Sequence, residues 1–456
     1  MGTSDIRRMD TLHHLHPYSN FKRHEKEGPF IITRGDGVWV YDEHGNKYLE
    51  GLAGLWCASL GFSNERLIAA AKRQLDRLPY YHTFYQRTSD VTAELSGRLA
   101  EMLPMDNARI LFANSGSEAV DMAIKLIWYY NNARGMPQRK KIIARAKGYH
   151  GVTIASGSLT GLPIVQTAFD LPIARFLHTD CPHYYLNSLD GESETEFVDR
   201  IVGNLEQLIQ RENPETIAAF VAEPVQGSGG VIVPPPGYFA KVQAVLKKYD
   251  ILFLVDEVIC GFCRTGNMFG SETFGLTPDL MTFAKGLSSG YQPISALAVS
   301  EAIYKAVSEA SERHGVFGHG FTYSGHPVAA AVALETLKIY AEGDVLRHVR
   351  SIQDRFQSGL RRFAMHPMVG EIRGIGLIAG VHLMADKTMR RAFDPVGPTG
   401  ARFTELSLKN GLIIRALGDT IALCPPLIIQ EGEIDLLLEM VRVTLDETYK
   451  SITRSY

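Results

Sequence analysis

The stretch "ILFLVDEVICGFCRTG", residues 251–266, begins as an unbroken apolar run and ends in two carboxylates, two cysteines and a turn. Apolar residues in succession, without polar alternation, predict a strand buried on both faces of a mostly parallel sheet. Strands of that kind need companions, and the chain supplies them: "ARILFAN", "KKIIARA", "IAAFVAE", "LMTFAKG" and "SALAVS" recur between about 109 and 300, separated by helical segments. One of those segments, 117–130, carries Val120, Ala123, Ile124, Ile127 and Trp128 at helical spacing, which predicts an amphipathic helix laid on the sheet. The expected architecture is α/β, a large domain with a mostly parallel central sheet.

On either side the pattern changes. "GVWVYD" and "KYLEGL" flank the turn residues "EHGN" and predict a hairpin. Residues 64–103 read as two helices, the second opening at Thr88, Ser89 and Asp90 and stopping at Pro104. After Pro327 one long helical signal spans roughly 328–363, and an α+β segment begins near Val369. These readings divide the chain into 1–60, the N-terminal part of a small domain, 61–327, the large α/β domain, and 328–456, the C-terminal part of the small domain.

Composition narrows the partners. The 456 residues are 45% hydrophobic, and 47 basic against 50 acidic side chains give a net charge of −3, so no electrostatic footprint for nucleic acid or an anionic membrane is present. Five scattered cysteines form no disulfide framework and fit a reducing cytoplasm. The first twenty residues lack the apolar core of a signal peptide, Ile6 stands where myristoylation wants Ser or Thr, and no run of about 18 apolar residues predicts a membrane span.

Several motifs compete for the chemistry. Cys260 and Cys263 have redox spacing, but a loop follows them where a thioredoxin-like pair opens a helix, and no second cluster completes a zinc site. "GIGLIA", 374–379, matches a dinucleotide fingerprint, yet strand-like sequence follows it in place of a helix. "HHLH" at 13–16 has ligands for a metal, but so near a chain end it reads as polar and mobile, and no metal is expected. In "FANSGSEAV", 112–120, a strand gives way to small residues Ser115, Gly116 and Ser117 and then to a helix, a place for a phosphate or an ordinary cap. Lys285 follows an apolar strand, where ligands bind in open α/β sheets. A buried amine there would be an uncharged nucleophile toward an aldehyde, although a lone lysine reads equally as a surface residue. Asp256 sits at another strand end, one further unit of the sheet away.

As a set, "NSGSEA", "GYHG" with Tyr149 and His150, "EPVQGSGG" with Glu223, "VDEVICGF" with Asp256, "FAKGLSSGYQPI" with Lys285 and "HGFTYSGHP" with Thr322 resemble the class III aminotransferases from about residue 20 to 445. "GLIIRALGDTIALCPPL", with Arg415, is most similar to the branch that uses amines or β-alanine with pyruvate, the ω-transaminases. The resemblance implies a pyridoxal-phosphate enzyme of fold type I, with a small α+β domain built from both chain ends. It also implies ping-pong transfer between an amine donor and a keto acid in a homodimer with shared sites, a tetramer being left open.

In that reading Lys285 links to the cofactor's aldehyde and then serves as acid and base, while Asp256 keeps the pyridine nitrogen protonated. Ser115, Gly116 and Ser117 form the phosphate cup, Tyr149 and Val258 cover the two ring faces, and His150 and Glu223 line the cofactor site. Val258 is expected on the cofactor side by strand alternation from Asp256, and Glu257 on the other as a structural carboxylate. Thr322 reaches the phosphate in the partner subunit. Leu55, Trp56, Phe84, Tyr85 and Phe321 are candidate pocket walls, with Tyr149 and Ser228 beside the substrate and Arg415 as a clamp for the acceptor's carboxylate. Ser228 stands where relatives using ornithine-like donors carry a Glu that masks the arginine, which favours pyruvate over 2-oxoglutarate. A decarboxylase or aminomutase on the same scaffold, a non-catalytic phosphate-ligand binder and a C-x-x-C oxidoreductase are the rival readings.

Overall fold

The structure, a computed structural model, describes residues 2–453. Its centre is a seven-stranded sheet in the spatial order Arg109–Ala113, Ser295–Val299, Leu280–Phe283, Leu252–Asp256, Ile217–Ala222, Lys141–Arg145, Phe176–Thr179. The last five strands pair in parallel, and Ser295–Val299 runs antiparallel to both of its neighbours. All six apolar runs therefore fall in one sheet. The seventh strand, Phe176–Thr179, lies at the edge, and its sequence FLHT carries too little apolar signal to announce it.

Parity along Leu252–Asp256 explains which way the strand's side chains face. Leu252 and Leu254 pack into the cluster shared with Val120, Ile124 and Ile127 of the helix Gly116–Ala133. Phe253 and Val255 pack oppositely, against Phe197 and Ile201 of Glu194–Arg211 and Phe239 and Val242 of Tyr238–Lys248. Both faces are dry, so each of these side chains contributes roughly 1.5–3 kcal/mol by burial. Asp256, the next residue in the alternation, falls on the face of the Gly116–Ala133 helix.

A four-stranded sheet joins the two ends of the chain: Ile32–Asp36, Trp39–Asp42 and Lys47–Glu50 are antiparallel, and Leu412–Ile413 adds in parallel to Lys47–Glu50. The predicted hairpin is its middle pair. Another four-stranded sheet runs in the order Val369–Ile375, Ile378–Leu383, Thr420–Leu423, Arg415–Leu417. "GIGLIA" is the tight turn between its first two strands, with Ile375 opposite Ile378, so no helix begins there and no dinucleotide fingerprint exists. Gly376 holds that turn at φ +56°, and a Cβ on it would lie 2.3 Å from the Arg264 carbonyl oxygen.

The long helix expected after Pro327 is two helices, Pro327–Ala341 and Asp344–Arg361. Gly343 separates them at φ +81°, a left-handed conformation that ends one helix and begins the next. Two short helices near the N-terminus, Thr3–His13 and Phe21–Glu27, flank the segment 13–16 that reads as polar and mobile in the sequence. No residue of Phe21–Glu27 is buried, so apolar periodicity had nothing to report there. Among the described residues no helix is long and apolar enough to cross a membrane.

Candidate active site

Four chain segments leave the carboxyl ends of parallel strands and meet in one cavity of about 120 Å³, the position where open α/β sheets bind ligands. Tyr149, His150 and Gly151 follow Lys141–Arg145; Glu223 follows Ile217–Ala222; Asp256, Val258 and Ile259 come from the end of Leu252–Asp256; Ala284 and Lys285 follow Leu280–Phe283. Gly116 and Ser117, at the start of the Gly116–Ala133 helix, close the opposite wall.

Asp256 is 3% exposed and fully engaged. Its Oδ2 accepts from His150 Nδ1 at 2.8 Å, and its Oδ1 accepts from the Val258 backbone N–H at 3.1 Å and the Thr282 hydroxyl at 3.2 Å. Three donors hold the carboxylate in one orientation while it lines the cavity. His150 has no such satisfaction on its other side: Nε2 is buried and without a partner.

Val258 reaches the cavity by a route other than strand alternation. The strand ends at Asp256, and the turn closed by the Asp256 side chain on the Val258 N–H redirects the chain. Glu257 does point away, as expected for a structural carboxylate. It is fully buried, and its oxygens accept from Gly270 N at 3.0 Å and from Ser271 N and Oγ at 2.6 Å each, securing the start of the helix Gly270–Phe274. Burial pushes its carboxyl up to about 7.

Lys285 sits half-buried in a 3-10 turn at φ +45°. A non-glycine residue held in that region costs about 1 kcal/mol or more, and such strain is kept where surrounding structure fixes it, commonly at a functional site. Glu223 supports the neighbouring loop: Oε1 accepts from Tyr149 N at 3.0 Å and Oε2 from Gly227 N at 2.9 Å, while burial raises its carboxyl above the usual range.

The helix start is a ready anion site. The Ser115 hydroxyl accepts from Glu118 N at 3.2 Å in a capping box, so Ser115 serves as a cap, lies exposed and does not line the cavity. Gly116 and Ser117 do line it, and their N–H groups belong to the first turn, which has no intrahelical acceptors. Gly151 presses against them at φ +133°; a Cβ there would come within 2.6 Å of Ser117 Oγ and 2.3 Å of Ser156 Oγ. The wall stays backbone-thin for that reason.

The remaining candidates lie outside this cavity. Trp56 is 3% exposed, at φ +66°, in a cluster with Val225, Ile259 and Cys424, and its indole nitrogen has no partner. Leu55, Phe84 and Tyr85 are exposed, Phe321 is half-buried, and Thr322 is exposed with its carbonyl accepting from the Tyr80 hydroxyl at 2.9 Å. Ser228 lies in the turn after Glu223, half-buried. Arg415 opens the strand Arg415–Leu417; among the described residues no carboxylate lies within ion-pair distance of it, and its guanidinium carbon stands 5.8 Å from the centre of the Tyr18 ring. Tyr18 is a site neighbour that sequence reasoning missed. It lies beside Tyr149 as well, and burial together with that hydroxyl contact raises the Tyr149 phenol above its usual value.

The two cysteines separate. Cys260 packs with Val225 and Ile259, Cys263 belongs to another cluster and touches Met268 at 4.0 Å, and both are buried free thiols. Burial pushes the Cys263 thiol up to about 12, which removes the thiolate that redox chemistry needs.

The family model of the aminotransferase class-III proteins matches residues 20–445. A gamma aminobutyrate transaminase 1, mitochondrial, of Solanum lycopersicum is 51% identical over 425 residues, which cover 93% of this chain and 82% of that protein. An omega transaminase from Pseudomonas jessenii, solved in complex with PMP, superposes with a TM-score of 0.97 at 50% identity, covering 98% of this chain and 99% of that one. A thermostable omega transaminase variant with tryptophan, phenylalanine and arginine replaced, engineered for synthesis of enantiopure bulky amines, has a TM-score of 0.97 at 49% identity, covering 98% and 100%.

Proposed function

The chain belongs to the class III aminotransferases, pyridoxal-phosphate enzymes of fold type I that take an amine donor and a keto acid, and from that premise we propose that it transfers an amino group from an amine or ω-amino acid to pyruvate. The residues present fit the cofactor. The first-turn N–H groups of Gly116 and Ser117 suit its phosphate, the buried Asp256 its ring nitrogen, and the Lys285 amine its aldehyde. When bound, pyridoxal phosphate supplies an electron sink for the carbanion left when the substrate Cα loses its proton.

Lys285 would hold the cofactor through its amine and, when free of it, would be the base and acid that takes up and gives back the substrate's Cα proton. Asp256 would keep the ring nitrogen protonated, since an opposite charge within about 4–6 Å shifts a pKa by roughly 1–3 units. His150 acts through Asp256 as a positioning residue, and Glu223 positions Tyr149, which covers one ring face while Val258 backs the other. Residues 61–327 supply this machinery in the reading proposed, with Leu55 and Trp56 of 1–60 and Arg415 of 328–456 added on the substrate side.

The acceptor assignment is carried by Arg415. Its guanidinium has no carboxylate partner among the described residues, and Ser228 supplies no charge to mask it, so it is open to a keto acid's carboxylate. An ω-amino acid or carboxylate-free amine as donor accords with what the relatives' names state of those proteins, and the tryptophan, phenylalanine and arginine altered in the engineered relative are the residue types of Trp56, Phe84 and Arg415. The test is a panel of β-alanine, γ-aminobutyrate and 1-phenylethylamine, each with pyruvate and with 2-oxoglutarate. A kcat/KM for pyruvate at least tenfold above that for 2-oxoglutarate is expected; the reverse order overturns the assignment.

A homodimer is part of the proposal. Tyr80, Tyr81, Phe84, Tyr85 and Tyr323 leave much apolar surface exposed around Thr322 in the single chain, the kind of patch that marks an interface. Light scattering should give twice the chain mass of 50.5 kDa or a multiple of that dimer. Five unpaired cysteines support a cytoplasmic place of work.

A further inference from the structure

Away from the cofactor cavity, three imidazoles converge on one carboxylate. Asp10 lies in the helix Thr3–His13, His14 caps that helix, His16 follows it, and His24 lies in Phe21–Glu27. His16 Nε2 is 2.8 Å from Asp10 Oδ1 and 3.0 Å from Oδ2, His14 Nδ1 is 3.1 Å from Oδ2, and His24 Nε2 is 3.1 Å from Oδ1. The rings stand in a row, His14 to His16 and His16 to His24 each at 4.2 Å between centroids.

A hydrogen-bonded carboxylate does not account for the whole group. His24 Nε2 is buried and close to Asp10, yet it forms no hydrogen bond there or elsewhere, so one inward-aimed nitrogen is left for another partner. Donor atoms of Asp10, His14 and His16 all lie within 4.8 Å of one another. Around a tetrahedral ion with ligand bonds of about 2.0–2.1 Å, neighbouring donors stand about 3.3 Å apart. The N···O separations to Asp10 need to open by only a few tenths of an ångström, while His24 Nε2, 3.1 Å from Asp10 but outside that mutual 4.8 Å set, has to swing inward to complete the fourth position.

We propose that Asp10, His14, His16 and His24 form a site for a borderline divalent ion such as Zn²⁺, Co²⁺ or Ni²⁺. Imidazole and carboxylate donors in this ratio suit those ions and do not suit Mg²⁺ or Ca²⁺. His14, with 59% of its side chain exposed, leaves an entry path, while His24 at 12% forms the inner wall. The ion clasps the first helix to the second and closes the segment that carries Tyr18 toward Arg415. The proposed site departs from the expectation of a metal-free terminus and needs His24, eight residues beyond "HHLH".

The test uses tag-free, full-length enzyme loaded with pyridoxal phosphate, treated with chelator and desalted. Titration calorimetry with Zn²⁺ should show one equivalent per chain, and Co²⁺ in its place should give the intense visible bands of a four-coordinate nitrogen and oxygen site. Asp10→Asn, His16→Asn and His24→Asn should each weaken that equivalent at least tenfold, with unchanged circular dichroism and cofactor colour. Absence of uptake by the wild type overturns the proposal. So does a tight equivalent that persists in both His16→Asn and His24→Asn, which would place the ion elsewhere.

Discussion

His150 donates its Nδ1–H to Asp256 Oδ2 at 2.8 Å, and both side chains are buried. The pair joins a loop after one parallel strand to the end of another, so the orientation of the carboxylate depends on a residue 106 positions away in sequence. His150→Asn should keep the fold and bind cofactor while lowering kcat/KM about 10- to 150-fold, the value of a hydrogen bond to a charged group at about 1.5–3 kcal/mol. Kinetics at saturating pyridoxal phosphate, beside the visible spectrum of the bound cofactor, separate this loss from lost binding. An unchanged rate would mean that Thr282 and the Val258 N–H orient Asp256 without help.

Arg415 should act on one half-reaction. Arg415→Ala is expected to raise KM for pyruvate by about 10- to 100-fold, with little change in the single-turnover rate for 1-phenylethylamine, which has no carboxylate. Equal losses in both half-reactions would make the arginine structural.

His382 gives a pH prediction. Burial, then the charges of Arg373 and His183, lowers its pKa from 6.5 to about 3, so the folded protein binds fewer protons than the unfolded chain between those values. Stability from this group is complete above pH 6.5 and falls as the pH falls toward 3. Between pH 7.5 and 5 the loss is about 2 kcal/mol. Urea midpoints for the wild type should drop more over that interval than those for His382→Asn; parallel curves would contradict it.

Much of this was legible in the sequence, for reasons that differ by residue. Strands such as Leu252–Asp256 are apolar on both faces, which no surface segment can imitate, so the central sheet was readable from its middle outward. Phe176–Thr179 was not, because an edge strand with two half-exposed residues has little apolar signal. Asp256 and Lys285 were legible because each ends such a strand. Trp56 was readable as apolar, but its left-handed backbone and buried place beside Val225 and Ile259 come from tertiary packing. Tyr18 could not be found, since nothing local links it to Arg415, nor could the third imidazole beside Asp10.

The central claim is that Lys285, in the cavity that Asp256 lines, carries the cofactor. Borohydride reduction of the pyridoxal-phosphate-loaded protein, followed by proteolysis and mass spectrometry, tests it most directly. The pyridoxyl mass should appear on the peptide containing Lys285 and vanish, with the yellow colour, in Lys285→Ala. A label on any other lysine, or none on the wild type, would contradict the account.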